Sequence, residues 1–287
     1  MSKYSRQSVD LDNPSTSTTK IVELVPENSR VLDVGCSSGY LGEALIKKRG
    51  ARVWGIEIDP DDADQARQRG FERVFGGDLD SFDWNDLAGL EFDAIVFADV
   101  LEHLKRPATA LGGAAQLLAR SGQVIASIPN VAHLSLRVEL MEGSFAYERL
   151  GLLDDTHLKY FTKQSILELF QSAGLAVESF DAVVSDLPED LIEQRLEALG
   201  LKPTRQFWAL MDSPEARAYQ YIVVAGEGSA TPVQINLPEK VVAAHARLVG
   251  ELAETRARLA QIESSASYRF GRLARRAYRR IMPRLPA

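Results

Sequence analysis

From Arg30 to Pro129 the chain repeats one unit, a short uninterrupted apolar run followed by a turn and a helical pattern. "RVLDV" leads into a helix predicted over residues 37–49, and "RVWGIE" into one over residues 60–69. "RVFGGD" and "FDAIVFAD" follow, the second leading into helical pattern over residues 100–119, and "GQVIASIP" closes the series. These runs are continuous rather than alternating and rich in β-branched residues, which suits parallel strands covered on both faces. Repetition at this spacing predicts a doubly wound, Rossmann-like α/β domain.

The pattern breaks after Pro129. Residues 130–160 read as a long insertion, before a helix over residues 162–173 that Gly174 stops. "GLAVESFDAV" and "AYQYIVVAG" read as strands. A helix near residues 189–199 and a loop with Pro203, Trp208 and Pro214 lie between them. With no clean helical crossover, the pair predicts an antiparallel strand at the sheet edge. The division expected is a domain over residues 1–226, a linker over 227–240 and a helical extension over 241–287.

The composition, 45% hydrophobic and 25% charged with no apolar run long enough to span a bilayer, is that of a soluble globular chain. Its opening "MSKYSRQSVDLDNPSTSTTK" lacks the apolar segment of a secretory signal. The single cysteine, Cys36, excludes an intramolecular disulfide framework and a multi-cysteine zinc site, so a cytoplasmic location is expected. Residues 265–287 hold seven arginines and no acid, which within a net charge of −7 leaves −14 on the rest. That acidic body argues against general nucleic-acid binding, which needs a basic surface.

"RVLDVGCSSGYLGEAL", residues 30–45, places a ligand-binding turn at the carboxyl end of the first strand. Gly35 and Gly39 let backbone approach a ligand, and the next helix offers free N–H groups. The dinucleotide pattern G-x-G-x-x-G fails at Ser37, and no lysine completes a phosphate-cradling loop. What remains is D-x-G-x-x-x-G, in which Asp33 would repel a pyrophosphate and attract a cation. Glu57 ends the second strand, placed to accept both hydroxyls of a ribose, and Asp78 ends the third, placed to accept from an adenine amino group. Asp59, before Pro60, reads as a helix N-cap.

In order and spacing, "VLDVGCSSG", "VWGIEID", "GGDLD", "FDAIVFADVLEHL" and "GQVIASIPN" resemble the successive motifs of class I S-adenosylmethionine-dependent methyltransferases. The resemblance covers about residues 30–226. It implies a seven-stranded sheet with an antiparallel last strand, and S-adenosyl-L-methionine as cofactor. It implies that Asp33, Gly35 and Gly39 surround the methionine part, Glu57 the ribose, and Asp78 with Leu79 the adenine. Cys36 and Asp99 complete the candidate cofactor residues. Many family members have "GCGxG" where this chain has "GCSSG".

Methyl transfer to a hydroxyl needs an aligned acceptor and a proton acceptor. "ADVLEHLKRP" puts Asp99, Glu102 and His103 at i, i+3 and i+4, on one face of a helix. His157, in "LLDDTHLKYFT", ends the insertion expected to form the acceptor pocket. His157 or His103 is the candidate base, and each has a structural reading as well. "DVLEHL" also resembles the acid-rich segment of ubiquinone-pathway O-methyltransferases and small-RNA 2′-O-methyltransferases, where carboxylates and histidine hold a divalent ion. Residues 127–175 resemble methyltransferases of bacterial cell-surface glycan assembly, which implies a sugar hydroxyl of an O-antigen or related polysaccharide as acceptor. A small phenolic or lipid-like acceptor is the second reading, and a methyltransferase-like scaffold module a third.

Val241, His245, Leu248, Leu252, Thr255, Leu259, Ile262 and Ala266 form a heptad-like stripe fit for self-association through residues 241–266. On a helix, Arg269, Arg272, Arg275, Arg276, Arg279 and Arg280 share one face, with Phe270, Leu273 and Ile281 opposite. Such a helix over 268–284 suits peripheral contact with anionic lipid.

Overall fold

The computed structural model describes residues 9–227, the backbone of Ile235–Asn236, and helical positions 247, 250–251, 253–258 and 261. Most of the stretch read as a linker, most of the heptad-like stripe and the whole basic segment 268–284 lie outside the described residues. The described residues fall into two compact units. The first runs to Lys202 and resumes at Pro214, and the second holds residues 203–213 and the helical positions beyond 238.

Strands β1 (Arg30–Val34), β2 (Arg52–Glu57), β3 (Arg73–Gly76), β4 (Phe92–Ala98) and β5 (Leu118–Pro129) are parallel. β6 (Ala176–Val184) and β7 (Ala218–Gly226) complete seven strands, with β7 antiparallel to both β5 and β6. A two-residue β8 (Ile235–Asn236) pairs with β6, and the order is β3-β2-β1-β4-β5-β7-β6-β8. The doubly wound sheet with an antiparallel last strand is therefore the observed fold, but that strand lies between β5 and β6 and not at the sheet edge expected for it. β8 falls inside the stretch of linker composition.

Alternate residues of each strand feed two cores, because successive side chains point to opposite faces. Leu32, Val34, Ile56 and Ile95 pack with Leu111 of α4 (Pro107–Ala115) and with Ile166 and Phe170 of α6 (Lys163–Ser172). Val31, Val53, Ala94 and Val96 pack against Ile21 of α1 (Ser17–Leu24), Leu41 and Leu45 of α2 (Tyr40–Arg49), and Ala63 and Ala66 of α3 (Pro60–Gln68). Asp59 caps α3, its carboxylate accepting from Asp61 N and Asp62 N. Thr162 and Ser165 form a capping box on α6. The sheet order reverses between β1 and β4, which opens a crevice at their carboxyl ends.

Three segments differ from the sequence expectation. The helix read over residues 100–119 is a 3-10 turn, Leu101–His103, followed by α4, and Leu118 already belongs to β5. Pro107 disfavours helical backbone at Arg106 and restarts the helix at its own position. The insertion contains α5 (Leu134–Met141), N-capped by the ring of His133. α7 (Glu189–Ala198) matches its expectation, but the loop around Trp208 is helical, as α8 (Arg205–Met211) in the second unit. The short α9 (Pro214–Arg217) precedes β7. No helix among the described residues is long and apolar enough to cross a membrane.

Gly42 of α2 leaves room for the ring of Phe71, which an added Cβ would penetrate. Overpacking of this kind costs about 1–3 kcal/mol. Gly42→Ala is expected to lower the urea midpoint accordingly, and an unchanged midpoint would show that this contact yields freely.

Candidate active site

The turn after β1 crosses the end of β2. Gly35 N and Cys36 N both donate to Ile56 O, at 2.8 and 3.0 Å. Gly35, Ser37 and Gly39 all have left-handed backbone, with φ of 72°, 47° and 79°. A Cβ at Gly35 would lie 2.8 Å from Val100 Cγ2, and one at Gly39 2.7 Å from Ala66 Cα, so both positions exclude a side chain. Ser37 takes a conformation that glycine adopts without strain. Its N–H donates to Glu57 Oε2 at 2.7 Å and its hydroxyl to Asp62 Oδ2 at 3.3 Å, which holds it there.

A cavity of about 550 Å³ opens above this turn. Of the candidate cofactor residues, Gly35, Glu57, Asp78, Leu79 and Asp99 line it. Asp33, Cys36 and Gly39 do not: Asp33 and Cys36 are buried beneath the turn, and Gly39 backs onto α3. Ser37, Tyr40, Ile58, Asp80 and Leu104 line it too, and sequence reasoning missed them. The only signal for them was their position beside the motif acids. The wall is acidic, with Glu57, Asp59, Asp78, Asp80 and Asp99 on it, and that suits a cationic ligand.

Two buried carboxyls support the turn. Asp33, 1% exposed, accepts a hydrogen bond from the Gly42 N–H, while its Oδ2 has no partner. Burial, reinforced by Glu57, pushes its pKa up to about 7. Glu57 accepts from Ser37 N through one oxygen and from Asp59 N through the other. Burial raises its pKa, and these backbone bonds oppose the rise. The Cys36 thiol, raised well above its ordinary value by burial and then by Asp33 and Glu57, is no nucleophile.

At the other end of the cavity Asp99 ends β4 in left-handed backbone, φ 57°, so it shares no helical face with Glu102 and His103. Ser127 Oγ donates to Asp99 Oδ1 at 2.9 Å, and Gln220 Nε2 donates to the same oxygen. Glu102, on the 3-10 turn, is 1% exposed, and neither of its carboxyl oxygens has a hydrogen-bond partner. Burial, then Asp99 and Asp154, raise its pKa well above the carboxylate range. Its backbone carbonyl accepts from Leu158 N and Lys159 N, at 2.8 and 3.0 Å, which pins the insertion to the turn. His157 is thereby brought in, with Nε2 3.9 Å from Glu102 Oε1 and its ring edge-to-face with His103 at 4.8 Å. Ligand atoms of Glu102, His103 and His157 lie within 4.8 Å of one another. Both candidate bases are thus together, but His103 lines the cavity and His157 stands behind it. His133, by contrast, is occupied by Ser135 and the Ser185 carbonyl.

Asp33 has a consequence for stability. Unfolded, it releases its proton near 3.8, whereas folded it keeps it to about 7. Stability of the ligand-free protein therefore falls as pH rises through that window. Asp33→Asn is expected to flatten this slope and to stabilise by about 2–4 kcal/mol at alkaline pH. Parallel stability–pH curves for the two proteins would refute it.

Comparison with known proteins completes the picture. Residues 14–179, more than half of the chain, match the family model of a methyltransferase domain. The ubiquinone biosynthesis O-methyltransferase of Xanthomonas axonopodis pv. citri (strain 306) is 30% identical over 165 residues, 56% of this chain and 68% of that protein. Its namesake from Aeromonas salmonicida (strain A449) is 25% identical over 157 residues, 54% of this chain and 66% of that one. The chain thus spans about two thirds of the length of these relatives. Among solved structures, the CcbJ methyltransferase of Streptomyces caelestis aligns with a TM-score of 0.51 at 14% identity, covering 78% of this chain and 100% of that one. An S-adenosylmethionine-dependent methyltransferase of Archaeoglobus fulgidus aligns at 0.50 and 17%, covering 75% and 94%, and both likenesses concern the fold. The acid-lined cavity over a left-handed turn fits a sulfonium nucleoside, and the chain belongs to the S-adenosylmethionine-dependent methyltransferases.

Proposed function

We propose that this methyltransferase acts on a hydroxyl oxygen, with Glu102, His103 and His157 as the group that activates the acceptor. The observation that carries the reading is Glu102, a buried carboxyl with both oxygens unsatisfied, beside two imidazoles at the cavity. Such a cluster suits proton removal from an acceptor that is not yet a nucleophile. S-adenosylmethionine supplies the electrophilic methyl group. Glu57 accepts the ribose hydroxyls, Asp78 and Leu79 frame the adenine, and Gly35 leaves room for the methionine part. Asp33 lies beneath as a buried carboxyl whose ionised form a bound cation would favour.

A second reading gives the same cluster a divalent ion. Ligands about 2.1 Å from an ion stand no more than about 4.2 Å apart, so the observed spread of 4.8 Å needs the side chains to draw together before they could hold one. An ion held there would lower the pKa of a bound acceptor hydroxyl. Asp99, already engaged by Ser127 and Gln220, is outside that set.

The acceptor we favour is phenolic or lipid-like. The two relatives are O-methyltransferases of ubiquinone biosynthesis by name. A run of edge-to-face rings also leads from exposed Tyr147 through Phe145, Tyr160 and His157 to His103, the one of the five that lines the cavity, and an aromatic surface of this kind suits a flat apolar acceptor. The sugar hydroxyl of a surface glycan rests on the sequence resemblance of residues 127–175. Self-association through 241–266 and lipid contact through 268–284 are likewise proposals carried by sequence, as is the three-part division of the chain.

Glu57→Ala is expected to weaken S-adenosylmethionine binding by about 1.5–3 kcal/mol in calorimetry, the worth of hydrogen bonds to a charged group. Unchanged affinity would remove Glu57 from the cofactor site. His103→Ala and His157→Ala should lower turnover ~10²–10⁴-fold while cofactor affinity is kept. Wild-type rates in both would end the histidine reading. Loss of activity with chelator and recovery with a divalent ion would select the second. Offered a catechol, a prenylated phenol and a surface polysaccharide with labelled cofactor, the enzyme should label a phenol, and label on polysaccharide alone would reverse the choice of acceptor.

A further inference from the structure

We infer that Asp154 and Thr156 are positioning residues that fix His103 in the tautomer protonated on Nδ1, so that Nε2 carries the lone pair. This rests on the reading of His103 as part of the acceptor-activating cluster and adds the residues that set its chemistry.

Asp154 lies in the insertion, 2% exposed, where a bridge pairs it with Glu148. The chain turns back at once, so that Asp154 Oδ1 accepts both the N–H of Thr156, at 2.8 Å, and its hydroxyl, at 2.6 Å. The hydroxyl is the donor in this contact, which commits its proton to Asp154. Thr156 Oγ1 therefore presents lone-pair density to His103 Nδ1, 3.1 Å away. The Thr156 carbonyl oxygen, which can only accept, stands 3.3 Å from the same nitrogen. Two acceptors face one ring nitrogen. A bare Nδ1 would oppose lone pair to lone pair twice, whereas an Nδ1–H satisfies both.

The consequence lies across the ring. With the proton on Nδ1, it is Nε2 that can take a proton or meet a metal, whereas the other tautomer would turn an N–H that way. His157 obtains the same tautomer by a different device, its Nδ1 lying 3.2 Å from the Leu152 carbonyl. One imidazole is set by a carbonyl alone, the other by a carbonyl and a hydroxyl, of which substitution can remove the hydroxyl. Thr156 does not line the cavity, so its effect on the reaction runs through His103.

The test is imidazole ¹⁵N NMR on the chelator-treated, full-length protein, at about pH 8, where an ordinary imidazole is neutral. His103→Gln identifies the His103 signals by their absence. The wild type is expected to show the Nδ1–H tautomer at His103. Thr156→Val, which keeps the backbone carbonyl, should weaken that preference and Thr156→Ser should restore it. Turnover should fall ~10–100-fold in Thr156→Val, the usual scale for partners that orient a functional histidine, and recover in Thr156→Ser. Unchanged cofactor affinity in both variants would report an intact fold. An Nε2–H tautomer in the wild type overturns the inference, and that spectrum needs no variant to fold. A preference no weaker in Thr156→Val strikes the Thr156 hydroxyl, and with it Asp154, from the inference, leaving the carbonyl alone. If the tautomers behave as expected while His103→Gln keeps full turnover, the inference stands and the activating role of His103 falls.

Discussion

The site depends on one carbonyl. Ile56 O, at the end of β2, receives the N–H groups of both Gly35 and Cys36, and so bends the chain leaving β1 across its neighbour. That bend forces left-handed backbone at three positions in five residues, two of them glycine. It also places the Ser37 N–H on Glu57, so the geometry of the turn and of the second-strand acid are set together. A side chain at Gly35 would collide with Val100, which leads into the 3-10 turn that carries Glu102 and His103. The turn after β1 and the 3-10 turn are in this way coupled through packing at a single glycine.

The same arrangement crowds negative charge into a poorly solvated space. Asp33, Glu57 and Asp62 are all buried around the turn, and the first two have raised pKa values because burial and mutual repulsion disfavour the ionised forms. A protein selected for stability alone would not keep an unsatisfied carboxyl oxygen at the end of a central strand. A site for a cation gains from it, since the ligand's charge offsets a repulsion already present. Glu102 repeats the pattern on the 3-10 turn, with Asp99 and Asp154 as the repelling neighbours. Strain and buried charge are concentrated in the region where binding relieves them.

The insertion gives the fold its individuality. Hydrogen bonds from Leu158 and Lys159 to the Glu102 carbonyl join two segments far apart in sequence. They bring with them His157, the Asp154–Thr156 pair and a row of aromatic rings. The β1–β3 half of the crevice is built from local strand–turn–helix units. The meeting of His103 and His157 follows from a backbone carbonyl of one segment that accepts from the amides of another.

That difference separates what the sequence determined from what tertiary structure decided. Continuous β-branched runs, capping residues and stop glycines are local and periodic, so the parallel strands, α2, α3, α6 and the Asp59 cap were legible. So were Glu57 and Asp78, because an acid at a strand end needs only the strand to be placed. The 3-10 turn was not: the i, i+3, i+4 spacing of Asp99, Glu102 and His103 reads as one helical face. In the fold, left-handed backbone at Asp99 and the restart at Pro107 break that face. Nor could sequence say that Asp33 and Cys36 sit beneath the cavity rather than on it, since strand parity leaves open which side chain the turn will cover. The meeting of His103 with His157 and Thr156 was beyond reach for the same reason. It depends on hydrogen bonds between segments about fifty residues apart, and no local pattern encodes such a pairing.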